Sequence, residues 1–140
     1  MSTQVEETLV LVKPDGVARN LTGEILRRIE AKGYNLVDVK LLQAERSLLA
    51  AHYAEHEGKP FYEPLIEFME SGPIVAFRVA GNRVIEGFRA LAGTTDPTTA
   101  APGTIRGDLG RDWGVKVQQN LVHGSDSPES AATELALWFD

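Results

Sequence analysis

The spacing of apolar and polar positions changes along the chain, and each change marks an element. Thr8 to Val12 (TLVLV) is almost wholly apolar and predicts a central strand. It runs into Lys13-Pro14-Asp15-Gly16, a set of turn formers that predicts a turn. Leu21, Ile25 and Ile29 recur every four residues and predict a helix from about Thr22, ended by Gly33. From Asn35 to Leu42, Val37, Val39 and Leu41 alternate with Asp38 and Lys40, the pattern of a half-buried strand with one wet face. Ser47 can cap a second helix in which Leu49 and Tyr53 share a face. Lys59-Pro60 breaks the chain before a short helix in FYEPLIEFME, where Pro64 is tolerable near the start. Ile74 to Val79 predicts a strand, and Asn82 a cap for a helix that turns Val84, Ile85, Phe88 and Leu91 inward and Arg89 away. From Gly93 to about Gly114 no period is sustained, and a loop of that length inside a compact domain is usually functional. Leu121-Val122 ends a buried strand, and Ser127 caps a last helix from Pro128 to about Trp138, with Ala131, Leu135 and Trp138 on its buried face.

Without the short extra helices, the order is βαββαβ. That is the ferredoxin-like split unit of the α+β class, a four-stranded antiparallel sheet with helices expected to cover one face. No repeat or linker divides the chain, so residues 1–140 read as a single domain.

Composition narrows the functional classes. A net charge of −6 disfavours broad electrostatic binding to nucleic acid or anionic membrane, although a few convergent Lys and Arg residues can still dominate a cleft. There are no cysteines, which excludes disulfides, cysteine metal sites and thiol catalysis. No apolar run reaches the length of a membrane span, and MSTQVEET has no signal-peptide pattern, so a cytoplasmic protein is expected.

The chemistry centres on NLVHGSDS, Asn120 to Ser127. His123 stands at a strand-to-helix corner, with Gly124 permitting a crowded turn and Glu129 near the positive end of the helix. A histidine so placed can aim one ring nitrogen at a ligand, though many histidines only satisfy loop hydrogen bonds. His52 and His56, four apart, have a metal-compatible spacing, but no third ligand is evident and a solvated helix face is the expected reading.

Five motifs then occur in order: KPDGV (13–17), HYAEHEGKPFY (52–62), GTTDP (93–97), PGTIRGD (102–108) and NLVHGSDS (120–127). Together they resemble nucleoside diphosphate kinase over nearly the whole chain. The resemblance implies a ping-pong reaction in which a histidine, His123 here, takes the γ-phosphoryl group from a nucleoside triphosphate and passes it to a diphosphate. It implies that Lys13 contacts phosphate and the ribose 3′-hydroxyl, that Arg89 and Arg106 clamp phosphates with help from Thr95, and that Asn120 binds the sugar. It sets Tyr53 beside the histidine and Phe61 against the base, with Leu65 and Val117 lining the base slot. Ser125 and Glu134 would orient the imidazole. It also implies Mg²⁺ arriving on the nucleotide rather than in a cage of protein side chains, and a homo-oligomer (hexamer, tetramer or dimer) built by pairing of the second strand. One departure from the pattern is LGRDWGVKVQQ (109–119), longer than in many family members. A non-catalytic nucleotide-binding regulatory domain of the same fold is the other reading.

The physical chemistry agrees with the first of these. Phosphoryl transfer asks for positioning and charge stabilisation more than covalent work from the protein. A neutral histidine is a usable nucleophile near pH 7 when one nitrogen is free and the other anchored, and a carboxylate such as Glu134 can do the anchoring.

Overall fold

A computed structural model describes residues 5–115, 117 and 119–139. Its strands are β1 (Val5–Val12), β2 (Asn35–Leu42), β3 (Ile74–Asn82) and β4 (Val122–Gly124). Its helices are α1 (Pro14–Ala18), α2 (Thr22–Ala31), α3 (Arg46–His52), α4 (Tyr62–Met69), α5 (Val84–Ala92), α6 (Ile105–Leu109) and α7 (Pro128–Phe139), with a 3₁₀ turn at Ala54–His56. The strands form one sheet in the order β2-β3-β1-β4, and every neighbouring pair is antiparallel. This is the ferredoxin-like α+β arrangement expected from βαββαβ.

Both faces of the sheet are covered, not one. Val10 and Val12 of β1 join Phe77 and Val79 of β3 in a core closed by α2 and α5. Leu9 and Leu11, on the opposite face, join Ala76 in a second core closed by α3, α4 and α7. That explains why TLVLV shows no alternation: successive side chains point to opposite faces, and Leu9 through Val12 are all fully buried. The helices that the βαββαβ reduction set aside as extras, α3 and α4, are what close the second face.

Three local readings change. KPDG is not a turn, because Pro14 opens α1 in the favourable first position and Lys13 precedes it. The loop after Gly93 contains α6, capped by Thr104, whose hydroxyl accepts from Gly107 N at 2.9 Å. The caps expected at Ser47 and Asn82 fall at Glu45 and Arg83.

The largest difference is in β2. Alternation predicts Val37, Val39 and Leu41 inward, yet they are 52%, 52% and 68% exposed. A bulge between Leu36 and Asp38 shifts the register, and β2 is an edge strand whose outer side pairs with no strand among the described residues.

Candidate active site

His123 lies within β4, opposite Leu11 of β1, rather than beyond the strand end. Leu121, read from sequence as strand, instead sits just before it with φ +72°, a left-handed conformation costly for a bulky side chain. Two contacts hold it there: Lys13 N donates to Leu121 O at 2.8 Å, and Asp15 Oδ2 accepts from Leu121 N at 3.1 Å. The KPDG segment thus fixes the backbone on which Asn120 and His123 are carried. Gly124 is needed for close approach, since a Cβ there would come within 2.5 Å of the Phe88 ring.

From α7, Glu134 Oε1 meets His123 Nε2 at 2.9 Å and accepts from Ser125 Oγ at 2.6 Å. Ser125 Oγ is itself held by Leu9 N at 3.3 Å. Helix α7 begins as its sequence indicates, with Ser130 N donating to Ser127 Oγ at 3.0 Å. Burial raises the Glu134 carboxyl, but the His123 and Ser125 hydrogen bonds outweigh it and leave it below the ordinary carboxylate range. An ionised carboxylate only accepts, so Nε2 of His123 carries the proton and the lone pair lies on Nδ1. The pair is 20% and 14% exposed, so water screens it little.

A cavity of about 730 Å³ opens in front of this pair. Lys13, Arg89 and Arg106 line it together with Thr95, Asn120 and Tyr53, whose ring packs edge-on against His52. Lys13 Nζ donates to Asn120 Oδ1 at 2.9 Å, and Asn120 Nδ2 donates to Thr95 O at 3.0 Å, so three of the motifs are joined by two bonds. Burial, then repulsion from Arg106, lowers the Lys13 ammonium to about 8 against the opposing pull of Asp15. Arg106 is lowered to about 10, by burial first and Arg89 second. Cations that depress one another's charge this way are poised to gain from an anion.

Arg106 does more than face the cavity. Its guanidinium donates to the carbonyls of Asn120 (3.1 Å), Gly93 (2.9 Å) and Val122 (2.7 Å), tying α6 to the strand that bears His123. Three of its five N–H groups are used, and two remain for a ligand.

The base-slot residues stand apart from this cavity. Phe61 is 48% exposed and touches His56, a cavity residue, with ring centroids 5.3 Å apart. Leu65 packs against the second core, and Val117 is half-buried; neither lines the cavity.

Two residues of the site were missed or misread in sequence. Asp15 is buried and has an Oδ1 without a partner among the described residues; burial raises its carboxyl and Lys13 opposes the rise. Its adjacency to Lys13 in KPDG was the only available signal. His52, expected on a solvated face, instead packs edge-on against His123 with centroids 4.7 Å apart. The HxxxH spacing does not pair His52 with His56: both line the cavity, but His52 groups with His123 and Glu134.

The family model described as nucleoside diphosphate kinase matches residues 6–140. The chain belongs to the nucleoside diphosphate kinase family. It is 60% identical to the nucleoside diphosphate kinase of Saccharopolyspora erythraea and 59% to that of Mycolicibacterium vanbaalenii, each over 135 residues spanning 96% of both chains. Among solved structures it is similar to a halophilic nucleoside diphosphate kinase from Halobacterium salinarum in complex with CDP. That match has a TM-score of 0.91 and 46% identity, and covers 98% of this chain and 89% of the other. It is also similar to a transition-state mimic of the Borrelia burgdorferi enzyme with bound vanadate and ADP, with a TM-score of 0.90, 34% identity and coverage of 97% and 88%. This nucleoside diphosphate kinase family member is therefore a phosphotransferase, and the non-catalytic regulatory reading is not favoured. Among the described residues no helix is long and apolar enough to cross a membrane.

Proposed function

We propose that the chain, as a single catalytic domain, moves the γ-phosphoryl group between nucleotides through His123 Nδ1. The observation that carries this is the 2.9 Å contact of His123 Nε2 with Glu134, which leaves the other nitrogen unprotonated in a cavity that Lys13, Arg89 and Arg106 also line. The Nδ1 lone pair attacks the γ-phosphorus, and the bond to the β-phosphate oxygen breaks with its electron pair leaving on the diphosphate. Glu134 stabilises the positive charge that the imidazole gains. Lys13, Arg89 and Arg106 hold the phosphate oxygens, Thr95 adds a hydroxyl, and Tyr53 offers a phenol that burial keeps neutral. Return of the group to a second diphosphate reverses each step.

Asn120 and Lys13 hold the ribose 3′-hydroxyl, and the base rests on Phe61 between Leu65 and Val117. Such a slot reads a π-face and not a base edge. The divalent metal of the reaction is Mg²⁺ on the nucleotide, where it neutralises part of the polyphosphate. Among the described residues the one cluster of potential ligands, His52, His123 and Glu134, is a poor cage for it. Magnesium prefers oxygen donors, and the Glu134 oxygen is already engaged twice.

A second copy of the chain pairs along β2. Val37, Val39 and Leu41 give that edge an exposed apolar row, the kind of surface a monomer normally covers or charges. The setting is the cytoplasm. The test of the function is transfer in two stages: protein treated with γ-labelled ATP and freed of nucleotide should carry label, and GDP or CDP should remove it as triphosphate. Binding without label, or label that no diphosphate discharges, would contradict it.

A further inference from the structure

His52 has an environment that none of the roles above requires. Trp138 is 1% exposed, and its indole N–H, a donor only, reaches His52 Nδ1 at 3.0 Å. That bond takes the Nδ1 lone pair, so the neutral ring must carry its proton on Nε2. Nε2 makes no hydrogen bond among the described residues, and His52 lines the cavity beside His123. The two rings meet edge-on with centroids 4.7 Å apart. A metal there would need a lone pair that His52 no longer has, whereas its Nε2–H, in the cavity that His123 also lines, can donate to a ligand oxygen at about 2.7–3.2 Å.

We propose that His52 is a further catalytic residue of the phosphoryl transfer, donating its Trp138-fixed Nε2–H to a phosphoryl oxygen while that group joins and leaves His123. The proton stays on His52 throughout; the only bonds exchanged are N–P at His123 Nδ1 and P–O at the diphosphate. The ring stays neutral because burial, and next the charge of His123, push its pKa down to about 3. A neutral donor stabilises the phosphoryl oxygens without repelling the cationic imidazole that forms beside it. Trp138 is then a positioning residue that selects the tautomer.

This inference rests on His123 being the acceptor, and two substitutions test it. In His52→Asn the amide oxygen can replace Nδ1 and satisfy Trp138, but no donor stands at the Nε2 position. In His52→Gln the amide nitrogen falls near Nε2 and restores the donor. Single-turnover phosphorylation by ATP, ADP affinity and thermal midpoint are measured for each, with the phosphate mapped. We expect His52→Asn to keep its midpoint and ADP affinity while phosphorylating about 10- to 100-fold more slowly, and His52→Gln to recover most of that rate. A wild-type rate in His52→Asn, or equal loss in both, would overturn the donor role. Phosphate mapping outside His123 in the wild type would instead overturn the reading beneath it. Nitrogen-15 spectra of the unmodified protein provide a check independent of any variant: they should show His52 protonated at Nε2 and bare at Nδ1, and the reverse tautomer would refute the inference.

Discussion

Glu134→Gln separates charge from geometry. The glutamine oxygen can accept from both His123 Nε2–H and Ser125 Oγ–H, as Oε1 does at 2.9 Å and 2.6 Å, so the tautomer is retained and only the negative charge is lost. Hydrogen bonds to charged groups contribute about 1.5–3 kcal/mol and neutral ones about 0.5–1.5 kcal/mol. The difference, about 1–1.5 kcal/mol, matters most as the N–P bond forms and the imidazole becomes cationic. That converts to roughly a tenfold slower phosphorylation. Little of it is lost to screening, since both side chains are at most 20% exposed. Glu134→Ala removes the anchor as well and frees the ring, which takes the loss toward the ~100-fold end of what an orienting partner contributes. Rapid mixing with labelled ATP and an alkaline quench gives the rate, and equilibrium binding of ADP gives affinity, which should hardly change. A Glu134→Gln protein with normal phosphorylation but weak ADP binding would show that the carboxylate serves the nucleotide and not the histidine.

Lys13, lowered to about 8, is protonated below that value and loses its charge above it, so kcat/KM for ATP should fall as pH rises through about 8. Lys13→Arg, slower throughout, should show no such fall because its charge does not titrate there; a flat wild-type profile to about pH 9 would contradict the lowered pKa. Arg106→Ala should weaken nucleotide binding and slow transfer together. It should also lower urea stability by about 3 kcal/mol or more, because three carbonyls lose a charged donor; unchanged stability would mean that those carbonyls find other partners. Among ATP, GTP, CTP and UTP as donors, kcat/KM should spread by only ~10-fold, and Phe61→Ala should depress all four, since stacking contributes roughly 1–3 kcal/mol whatever the base. Preference of several thousand-fold for one base would demand a residue that reads a base edge, and a 3′-deoxynucleotide should suffer more than any change of base.

The parts of the fold with strong periodicity were legible in the chain. Ile25 and Ile29 of α2, and Ala131, Leu135 and Trp138 of α7, occupy the faces their spacing predicts, because burial against a sheet selects one stripe of a helix. Strand β2 was misread because alternation reports two unlike faces and cannot say whether either meets this chain's own core; Val37 through Leu41 are exposed on both. Helix α1 was hidden by the turn-forming composition of KPDG, which serves a helix start equally well. In the site, Lys13, Arg89, Thr95, Arg106 and Asn120 were implied by the family resemblance and do converge on one cavity. The strut role of Arg106, the hold of Asp15 on Leu121 and the fixed tautomer of His52 were not legible. Two of them depend on contacts across a wide span of sequence, Asp15 to Leu121 and His52 to Trp138 being 106 and 86 residues apart, and Arg106 reaches carbonyls 13 to 16 residues away through a segment with no sustained period. No local pattern encodes such a contact.

The most direct test of the whole chemistry is to locate the transferred phosphate. Protein treated with ATP, quenched in alkali to preserve an N–P bond and digested, is analysed by fragmentation that keeps labile groups in place. A single phosphoryl group on His123, acid-labile, discharged by GDP and absent from His123→Gln, is the predicted result. Phosphate on Ser125, on His52 or on His56, or turnover of ATP with no adduct on the protein, would contradict it.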